Sequence, residues 1–275
     1  MRQELGRMVI DPDRNPARGL LDKAKSLRHF ELVRLAPSPD LAHYVEAFWL
    51  VLWDLEGGEP YTQANLPHPS QHLVIDPAGR TGIFGLQRAK FSYTLKGRGA
   101  VLGTKFHPAM FRGFLGRSMD TITDKVLKVS ELFEALDADL DAALMAANDP
   151  AVLADSIEDL LRHKLPSPDA RATDVRNLVA MIAETPDLYS VAALARQAGV
   201  TPRTLQRQFE NYVGVGPKWV VDRYRMIEAV DTLNADAEAS LTTLAHALGY
   251  FDQAHFSKAF AALTGKPPSF YRKAG

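Results

Sequence analysis

The chain has 275 residues, no cysteine and a net charge of −1 at neutral pH. The lack of cysteine excludes disulfides, thiolate catalysis and cysteine-ligated zinc. The balanced charge excludes nucleic-acid binding by bulk electrostatics, so any DNA contact requires a local basic surface. Apolar residues make up 46% of the sequence, which is enough for a buried core in one large or two ordinary domains.

Residues 1–30 are polar and are interrupted by glycine and proline. They lack the apolar stretch of a secretory signal. No apolar run in the chain approaches the roughly 20 residues that a membrane helix needs. We therefore expect a flexible tail over residues 1–30 and a cytoplasmic protein without membrane contact.

A β-rich domain is predicted over residues 31–115. Short segments rich in β-branched and aromatic residues alternate there with glycine and proline. These segments are residues 44–53, 72–77, 81–86, 90–95 and 100–106. Closely spaced short strands are typical of a small antiparallel barrel or sandwich. The stretch "GRGAVLG" (97–103) leads into a strand and not a helix, so it is not predicted to be a phosphate loop.

Residues 116–168 are predicted to form a helical linker or dimerisation segment. Apolar residues recur at helical spacing over residues 130–165, and Asp149-Pro150 separates two helices. The stretch "LPSPDA" (165–170) has the composition of a linker. The remaining residues, 169–275, show helical periodicity throughout, so the whole chain is predicted to be α+β.

A pattern in the C-terminal part occurs twice. With a shift of 50 residues, Leu194 and Gly199 align with Leu244 and Gly249; with a shift of 51, Phe209 aligns with Phe260. Each copy contains a short helix, a glycine turn and a second helix with apolar anchors four residues apart. This is the pattern of a helix-turn-helix, in which the second helix buries one face and leaves the other free for the major groove.

The free faces of the two second helices carry the candidate DNA-binding residues. These are Arg203, Thr204, Gln206 and Arg207 in the first unit, and Gln253, Ala254, His255 and Lys258 in the second. Arginine and lysine suit guanine, and glutamine suits adenine. The alternatives are an ordinary helical bundle with solvated residues, or pairing of Arg207 with Glu210 or Asn211.

Residues 217–235, "PKWVVDRYRMIEAVDTLNA", are predicted to be one long helix that joins the two units. At 1.5 Å per residue this helix spans roughly 28 Å. That length is near the ~34 Å between successive major-groove faces. One chain is therefore expected to read two groove segments on one side of DNA.

The C-terminal part resembles the DNA-binding domain of the AraC/XylS-type transcriptional regulators. The resemblance rests on "LARQAGVTPRTLQRQF", "GVGPKWVVDRYRMIEAV" and "LTTLAHALGYFDQAHFSKAFAALTGKPPSFYR". It implies base contacts for Arg203, Gln206, Arg207 and the four candidates of the second unit. It also implies a regulator, more often an activator, that engages RNA polymerase. Tyr250 stands where the family more often has phenylalanine.

The N-terminal part resembles, through "YVEAFW", "FGLQ" and "GTKFHPAMFRGFLG", the cupin-like sensor domains of one branch of that family. The resemblance implies a domain that binds a small-molecule effector, forms a homodimer, or does both. The candidate ligand-binding residues are Trp49, Trp53, His72, Phe84, Tyr93 and His107.

A metal site formed by His68, His72 and His107 is not predicted, because no carboxylate stands at a recognisable metal spacing. No cofactor is expected, and no nucleophile or paired-carboxylate motif indicates an enzyme. Three alternatives remain beside a ligand-sensing regulator: a regulator whose N-terminal domain only dimerises, a metal-dependent cupin enzyme fused to a DNA-binding domain, and an alkyl-transfer repair enzyme. The absence of cysteine opposes the last of these.

Overall fold

The computed structural model describes residues 8–11, 17–135, 137–147, 152–185, 190–236 and 238–271. Antiparallel strands occupy the N-terminal part of this chain and helices the C-terminal part, so the predicted α+β class is confirmed.

The strands are β1 (Glu31–Leu35), β2 (Val45–Leu55), β3 (Tyr61–Asn65), β4 (His72–Ile75), β5 (Gly82–Phe84), β6 (Phe91–Leu95), β7 (Gly97–Phe106) and β8 (Val126–Leu127). Six of them form a sheet in the order β1-β2-β7-β4-β5-β8, and β3 pairs with β6 in a second sheet. All pairings are antiparallel. Because β8 pairs with β5, the sheet extends to residue 127, beyond the border expected at residue 115.

The helices are α1 (Lys23–Ser26), α2 (Arg112–Leu115), α3 (Asp137–Ala146), α4 (Leu153–His163), α5 (Ala170–Glu184), α6 (Val191–Gln197), α7 (Pro202–Tyr212), α8 (Pro217–Ala235), α9 (Leu241–Ala247), α10 (Gln253–Thr264) and α11 (Pro268–Tyr271). A 3₁₀ turn, Met119–Ile122, precedes β8. The predicted separator Asp149-Pro150 lies outside the described residues, between α3 and α4.

The six-stranded sheet has two faces of different character. Phe48, Leu102 and Ile83 are fully buried on one face, where the sheet packs against the helices. The other face carries Trp49 and faces the β3–β6 sheet. Strand alternation produces this division, because successive side chains point to opposite sides.

Two hydrophobic clusters organise the helices. The first runs without interruption from the sheet through α4 and α5 into α6 and α7, and ends at Val220 and Val221 of α8. The second contains the rest of α8 with α9 and α10, and includes Leu21 and Leu66. The first helical pair therefore shares the core of the sheet, and the second pair has a separate core.

Residues 17–30 differ from the flexible tail that the sequence predicts. Leu20 bridges to Asn65, Leu21 and Phe30 are buried, and Arg18 forms ion pairs with α8. The polar composition of this segment predicted a solvated tail. Arg18, however, bonds to Asp231, which lies more than 200 residues later in the chain.

Candidate DNA-reading surface and ligand cavity

The two glycine turns have the same hydrogen-bonded geometry. Gly199 donates to the carbonyl of Arg196 and Val200 to that of Ala195; in the second copy Gly249 donates to His246 and Tyr250 to Ala245. This is the Schellman motif, and it requires a left-handed residue at its centre. Glycine supplies that residue in both copies, with φ of 64° and 75°. The repeat found in the sequence is thus a repeat of backbone structure.

Each second helix begins at a side-chain cap. Thr201 Oγ1 accepts from the Thr204 amide at 3.2 Å, and Pro202 follows as the first helical residue. Asp252 Oδ1 accepts from the His255 amide at 2.7 Å. These caps satisfy amides that a helix start leaves without partners. They fix the two helices at the turn where the predicted DNA contacts begin.

The anchors of both second helices are buried and their opposite faces are free. Leu205, Phe209, Phe256 and Phe260 are all 0% exposed. The eight candidate DNA-binding residues are exposed without exception: Arg203, Thr204, Gln206, Arg207, Gln253, Ala254, His255 and Lys258. The structure therefore presents each group as one solvent-facing surface, which we call the first and second reading surfaces.

The basic residues of these surfaces are unengaged. Across the described part of the chain, no ion pair or hydrogen bond reaches the side chains of Arg203, Arg207 or Lys258. Arg207 does not pair with Glu210 or Asn211, the two partners considered from the sequence. Glu210 accepts a hydrogen bond from Gln206 at 2.8 Å, and Asn211 accepts one from Arg112 at 3.2 Å. The two guanidinium groups of the first surface and the ammonium group of the second are therefore available for phosphates or guanine edges.

The joining helix α8 has the predicted bounds, 217–235, and is packed against the sheet domain. Its Arg223 is 3% exposed and donates to the carbonyls of Pro67 and Arg88 at 3.2 and 2.5 Å. The guanidinium also lies 4.5 Å from the ring centre of Trp219. Burial lowers the pKa of Arg223 to about 10, so it remains a cation at neutral pH.

The segment before α1 holds the other half of α8. Arg18 pairs with Glu228 at 2.6 Å and with Asp231 at 2.8 Å. The Gly19 amide donates to Asp231 as well, and Asn234 donates to the carbonyl of Leu20 at 2.7 Å. Residues 18–20 thus bind along one side of the helix that joins the two units.

The first reading surface borders the N-terminal part of the chain. A depression of about 440 Å³ is lined by Thr204 and Arg207 from α7, by Asp120 of the 3₁₀ turn and by Ser118, which precedes that turn. The end of α7 is also tied down, since Thr123 donates to the carbonyl of Gly214 at 2.8 Å. The Asp120 carboxylate would therefore repel an anion that approached this side of α7.

A cavity of about 330 Å³ lies between the two sheets. Trp49 and Trp53 cover β7 at Gly103 and Gly99, and a Cβ at either glycine would overlap the indole ring. The glycines therefore allow both rings to lie flat on the strand. Phe91 and Tyr93 of β6 line the opposite side.

Trp49 orients a histidine in this cavity. Its Nε1 donates to His72 Nδ1 at 3.1 Å. Burial, and then the charge of Lys105, lower the pKa of His72 to about 3, so the ring is neutral at pH 7. A neutral ring that accepts at Nδ1 carries its proton on Nε2. His72 therefore offers one N–H donor.

Charged side chains also reach the cavity wall, and the sequence patterns did not single them out. Lys105 pairs with Glu46 at 2.7 Å; although burial raises the pKa of Glu46, Lys105 holds it at about 2. Arg34 lies directly across from Trp49 on β1. Strand alternation places Arg34 and Lys105 on the cavity face, whereas Glu46 reaches it at an irregularity in the register of β2 between Val45 and Ala47. None of this is readable before the register of β1, β2 and β7 is known.

Five of the six predicted ligand-binding residues line the cavity: Trp49, Trp53, His72, Phe84 and Tyr93. His107 is not among its lining residues. Its Nε2 lies 3.3 Å from Nη2 of Arg176 in α5, and burial followed by the Arg176 charge lowers its pKa to about 4. Because a neutral ring faces a guanidinium, His107 accepts this bond. It connects the end of β7 to α5.

Among the described residues, no group of three or more histidine, aspartate or glutamate side chains is arranged to hold a metal ion. Nor does any described helix have the length and apolar character needed to span a bilayer.

Comparison with known proteins assigns the C-terminal part. A model described as a helix-turn-helix domain matches residues 194–274. An AraC-like transcription regulator of Streptomyces lividans is 38% identical over 85 residues, which are 31% of this chain and 28% of that protein. The C-terminal part of this chain is an AraC-type helix-turn-helix domain. The resemblance stated from the sequence is thereby confirmed.

Further relatives agree with the AraC-type assignment. The transcriptional activator RhaS of Pectobacterium atrosepticum is 37% identical over 79 residues, 29% of this chain and 28% of RhaS. The chain thus spans little more than a quarter of the length of these relatives. Both relatives are named as transcription regulators.

A domain of unknown function matches residues 33–128. Among solved structures, the C-terminal domain of AraT from Geobacillus stearothermophilus is 26% identical, covers 37% of this chain and 85% of its own, and has a TM-score of 0.34. ToxT from Vibrio cholerae is 12% identical, covers 82% of this chain and 98% of its own, and has a TM-score of 0.40.

Proposed function

We propose that this protein is a sequence-specific DNA-binding regulator of transcription that reads two adjacent major-groove segments with its two reading surfaces. The observation that carries the proposal is the pair of identical Schellman turns, each followed by a capped helix with a buried anchor face and an exposed face. Arg203 and Arg207 are assigned guanine or phosphate contacts, and Gln206 and Gln253 adenine contacts.

The joining helix α8 sets the separation of the two reading surfaces. Its 19 residues span roughly 28 Å, close to the ~34 Å between groove faces. A single chain therefore reaches two groove segments without a partner. Dimerisation through residues 116–168 remains a separate prediction, which sedimentation of the purified protein tests.

The cavity is proposed to hold a small-molecule effector, with Trp49, Trp53, His72, Phe84 and Tyr93 in contact with it. Ala17, Arg18, Pro67 and His68 also line this cavity. The same two segments hold α8, because Arg18 pairs with Glu228 and the Pro67 carbonyl accepts from Arg223. An effector that shifts these segments changes the position of α8 and so shifts the population able to bind both groove segments.

Activation is the proposed outcome, since the relative RhaS is named as a transcriptional activator. Activation implies contact with RNA polymerase, and binding to chromosomal DNA implies a cytoplasmic location. A reporter gene placed behind the selected DNA site, measured with and without the protein, gives the sign of regulation.

The test of DNA reading is selection of random duplexes by the full-length protein at a fixed, moderate salt concentration. We expect two short elements about one helical turn apart. Arg207→Ala should relax the sequence of one element only, by about 1–3 kcal/mol at the contacted base. Arg98→Ala is the matched control, because Arg98 is exposed on β7 and pairs with Asp54. No enrichment, or equal relaxation by both variants, would contradict the proposal.

A further inference from the structure

The guanidinium of Arg34 has no hydrogen-bond or ion-pair partner in the described cavity wall. Across the residues that the structure describes, no hydrogen bond or ion pair reaches it, and its Nη2 is closed off from solvent. Burial lowers the pKa of Arg34, although Glu46 opposes that shift. A guanidinium carries five N–H donors, and leaving those of the shielded Nη2 unpaired is destabilising.

The other charges of the cavity are balanced. Lys105 is neutralised by Glu46 at 2.7 Å, and Arg18 by the acidic residues of α8. Arg80, which is exposed, stacks over the ring of Tyr93, and the Tyr93 hydroxyl donates to the buried carboxylate of Asp76 at 3.0 Å. Arg80 and Asp76 cancel in formal charge. Among the cations of the cavity wall in the described structure, Arg34 is the one without a hydrogen bond, an ion pair or a ring contact.

The surroundings of Arg34 are flat and apolar. It lies opposite Trp49 in the β1–β2 register, and Leu32 lies opposite Val51 on the same face. The far wall contributes Phe91 and Leu95. Ser70, a buried residue whose hydroxyl has no partner in the described structure, also lines the cavity and offers a neutral polar contact.

We propose that this cavity binds a small organic monocarboxylate whose apolar body lies against Trp49 and whose carboxylate pairs with Arg34. The guanidinium fork matches a carboxylate with two parallel hydrogen bonds. One unpaired cation beside Glu46 suits one negative charge and disfavours a doubly charged phosphate. This inference rests on the proposed effector-binding role of the cavity and names the chemical class of that effector.

The experiment measures binding of 2-naphthoate and decanoate to the full-length protein by calorimetry, each beside its primary amide. Each acid and its amide have the same apolar hydrocarbon part, and only the acid carries a negative charge. We expect at least one carboxylate to bind at least about tenfold more tightly than its amide. Arg34→Gln should remove that preference, Arg34→Lys should retain part of it, and Arg98→Gln should leave it unchanged.

A second measurement tests Arg34 without any ligand. Because its charge is shielded and unpaired in the free protein, Arg34→Met should raise the Tm in thermal unfolding. A fall in Tm would mean that the guanidinium has a structural role, and it would overturn the assignment.

Three binding results would also overturn the assignment: equal affinity for acid and amide, undiminished binding of the acid by Arg34→Gln, or no binding of any probe. Binding of the selected DNA by the same preparation, measured in parallel, reports on the regulator proposal separately. If the protein binds the selected DNA but does not prefer the acid to the amide, only the proposed ligand class is wrong. If the wild-type protein does not bind DNA, the proposed function itself is wrong.

Discussion

The two helix-turn-helix units share one backbone design and differ in their attachment. Their turns and caps correspond bond for bond. The first unit, however, shares a continuous hydrophobic cluster with the sheet domain, while the second belongs to a separate cluster around the end of α8. Two equivalent units are thus supported by different cores.

The two reading surfaces also differ in their side chains. The first reading surface offers three long hydrogen-bonding side chains, Arg203, Gln206 and Arg207. The second includes Ala254, which is limited to apolar contact, and follows Phe251, which is 87% exposed. We therefore expect the first unit to carry more of the sequence discrimination and the second to contribute more to docking.

The largest difference between the units is expected when the equivalent buried anchors, Phe209 and Phe260, are each replaced by alanine. Phe209→Ala and Phe260→Ala should each cost about 3–5 kcal/mol of unfolding free energy. Because Phe209 belongs to the cluster of the sheet, its loss should shift circular dichroism and tryptophan fluorescence together. Phe260→Ala should lose helix first, while the fluorescence of Trp49 and Trp53 in the sheet persists.

The measurement uses a Trp219→Phe background, so that the fluorescence reports on the sheet, and takes Gln208→Ala as the control. Identical behaviour of both probes in both variants would mean that the two clusters unfold as one.

Lowering the pH is a second way to distinguish the stability of the two helix-turn-helix units. Burial, and then the charge of Lys105, lower the pKa of His68 to about 3, against about 6.5 in the unfolded chain. Its contribution to stability is therefore full above pH 6.5 and is lost as the pH falls toward 3, by about 1.4 kcal/mol per pH unit. His68 bonds to the Arg18 carbonyl and packs on Tyr224 of α8.

Protonation of His68 should thus loosen the attachment of α8 before α7 is released from the sheet. Hydrogen exchange at pH 7 and pH 5 should show faster opening in α9 and α10 than in α6 and α7. His68→Gln should flatten this difference, and equal acceleration of both pairs would contradict it.

The caps should behave alike in both units. Thr201→Ala and Asp252→Ala each remove a side-chain acceptor at the start of a reading helix. We expect each to lower stability by about 1 kcal/mol in urea unfolding. Thr201→Ser and Asp252→Asn keep an acceptor and serve as controls. A loss in one unit only would show that the backbone equivalence does not extend to energetics.

The smallest expected effect concerns the border of the first reading surface. Asp120 lines the same depression as Arg207 and opposes an approaching phosphate. Asp120→Asn should raise DNA affinity about two- to threefold at low salt, with little effect at high salt. Fluorescence anisotropy measures this, with Glu59→Gln as an exposed acidic control. A salt-independent change would exclude an electrostatic cause.

The helical part was readable from the sequence because its signals are local. Gly199, the anchor Phe209 and the bounds of α8 each follow from a few neighbouring residues. The strongest β segments were found as well, since β2 and β7 are long and rich in apolar residues.

What escaped prediction depends on contacts between distant residues. Strand β1 contains Arg34, and β3 is mostly polar, so neither resembles a buried strand. Arg34 becomes a cavity residue only when β1 pairs with β2. Residues 18–20 are ordinary in sequence and find their partners on α8, more than 200 residues later. No short-range pattern reports such pairings.

Arg223 gives the contact between α8 and the sheet domain an unusual property. An interface built only of leucine and phenylalanine would expose aggregation-prone apolar surface whenever it opened. A guanidinium held by two carbonyls regains its hydration on opening, so part of what the interface loses is returned by water. Opening of this contact would therefore expose a hydrated cation at Arg223 and not only apolar surface.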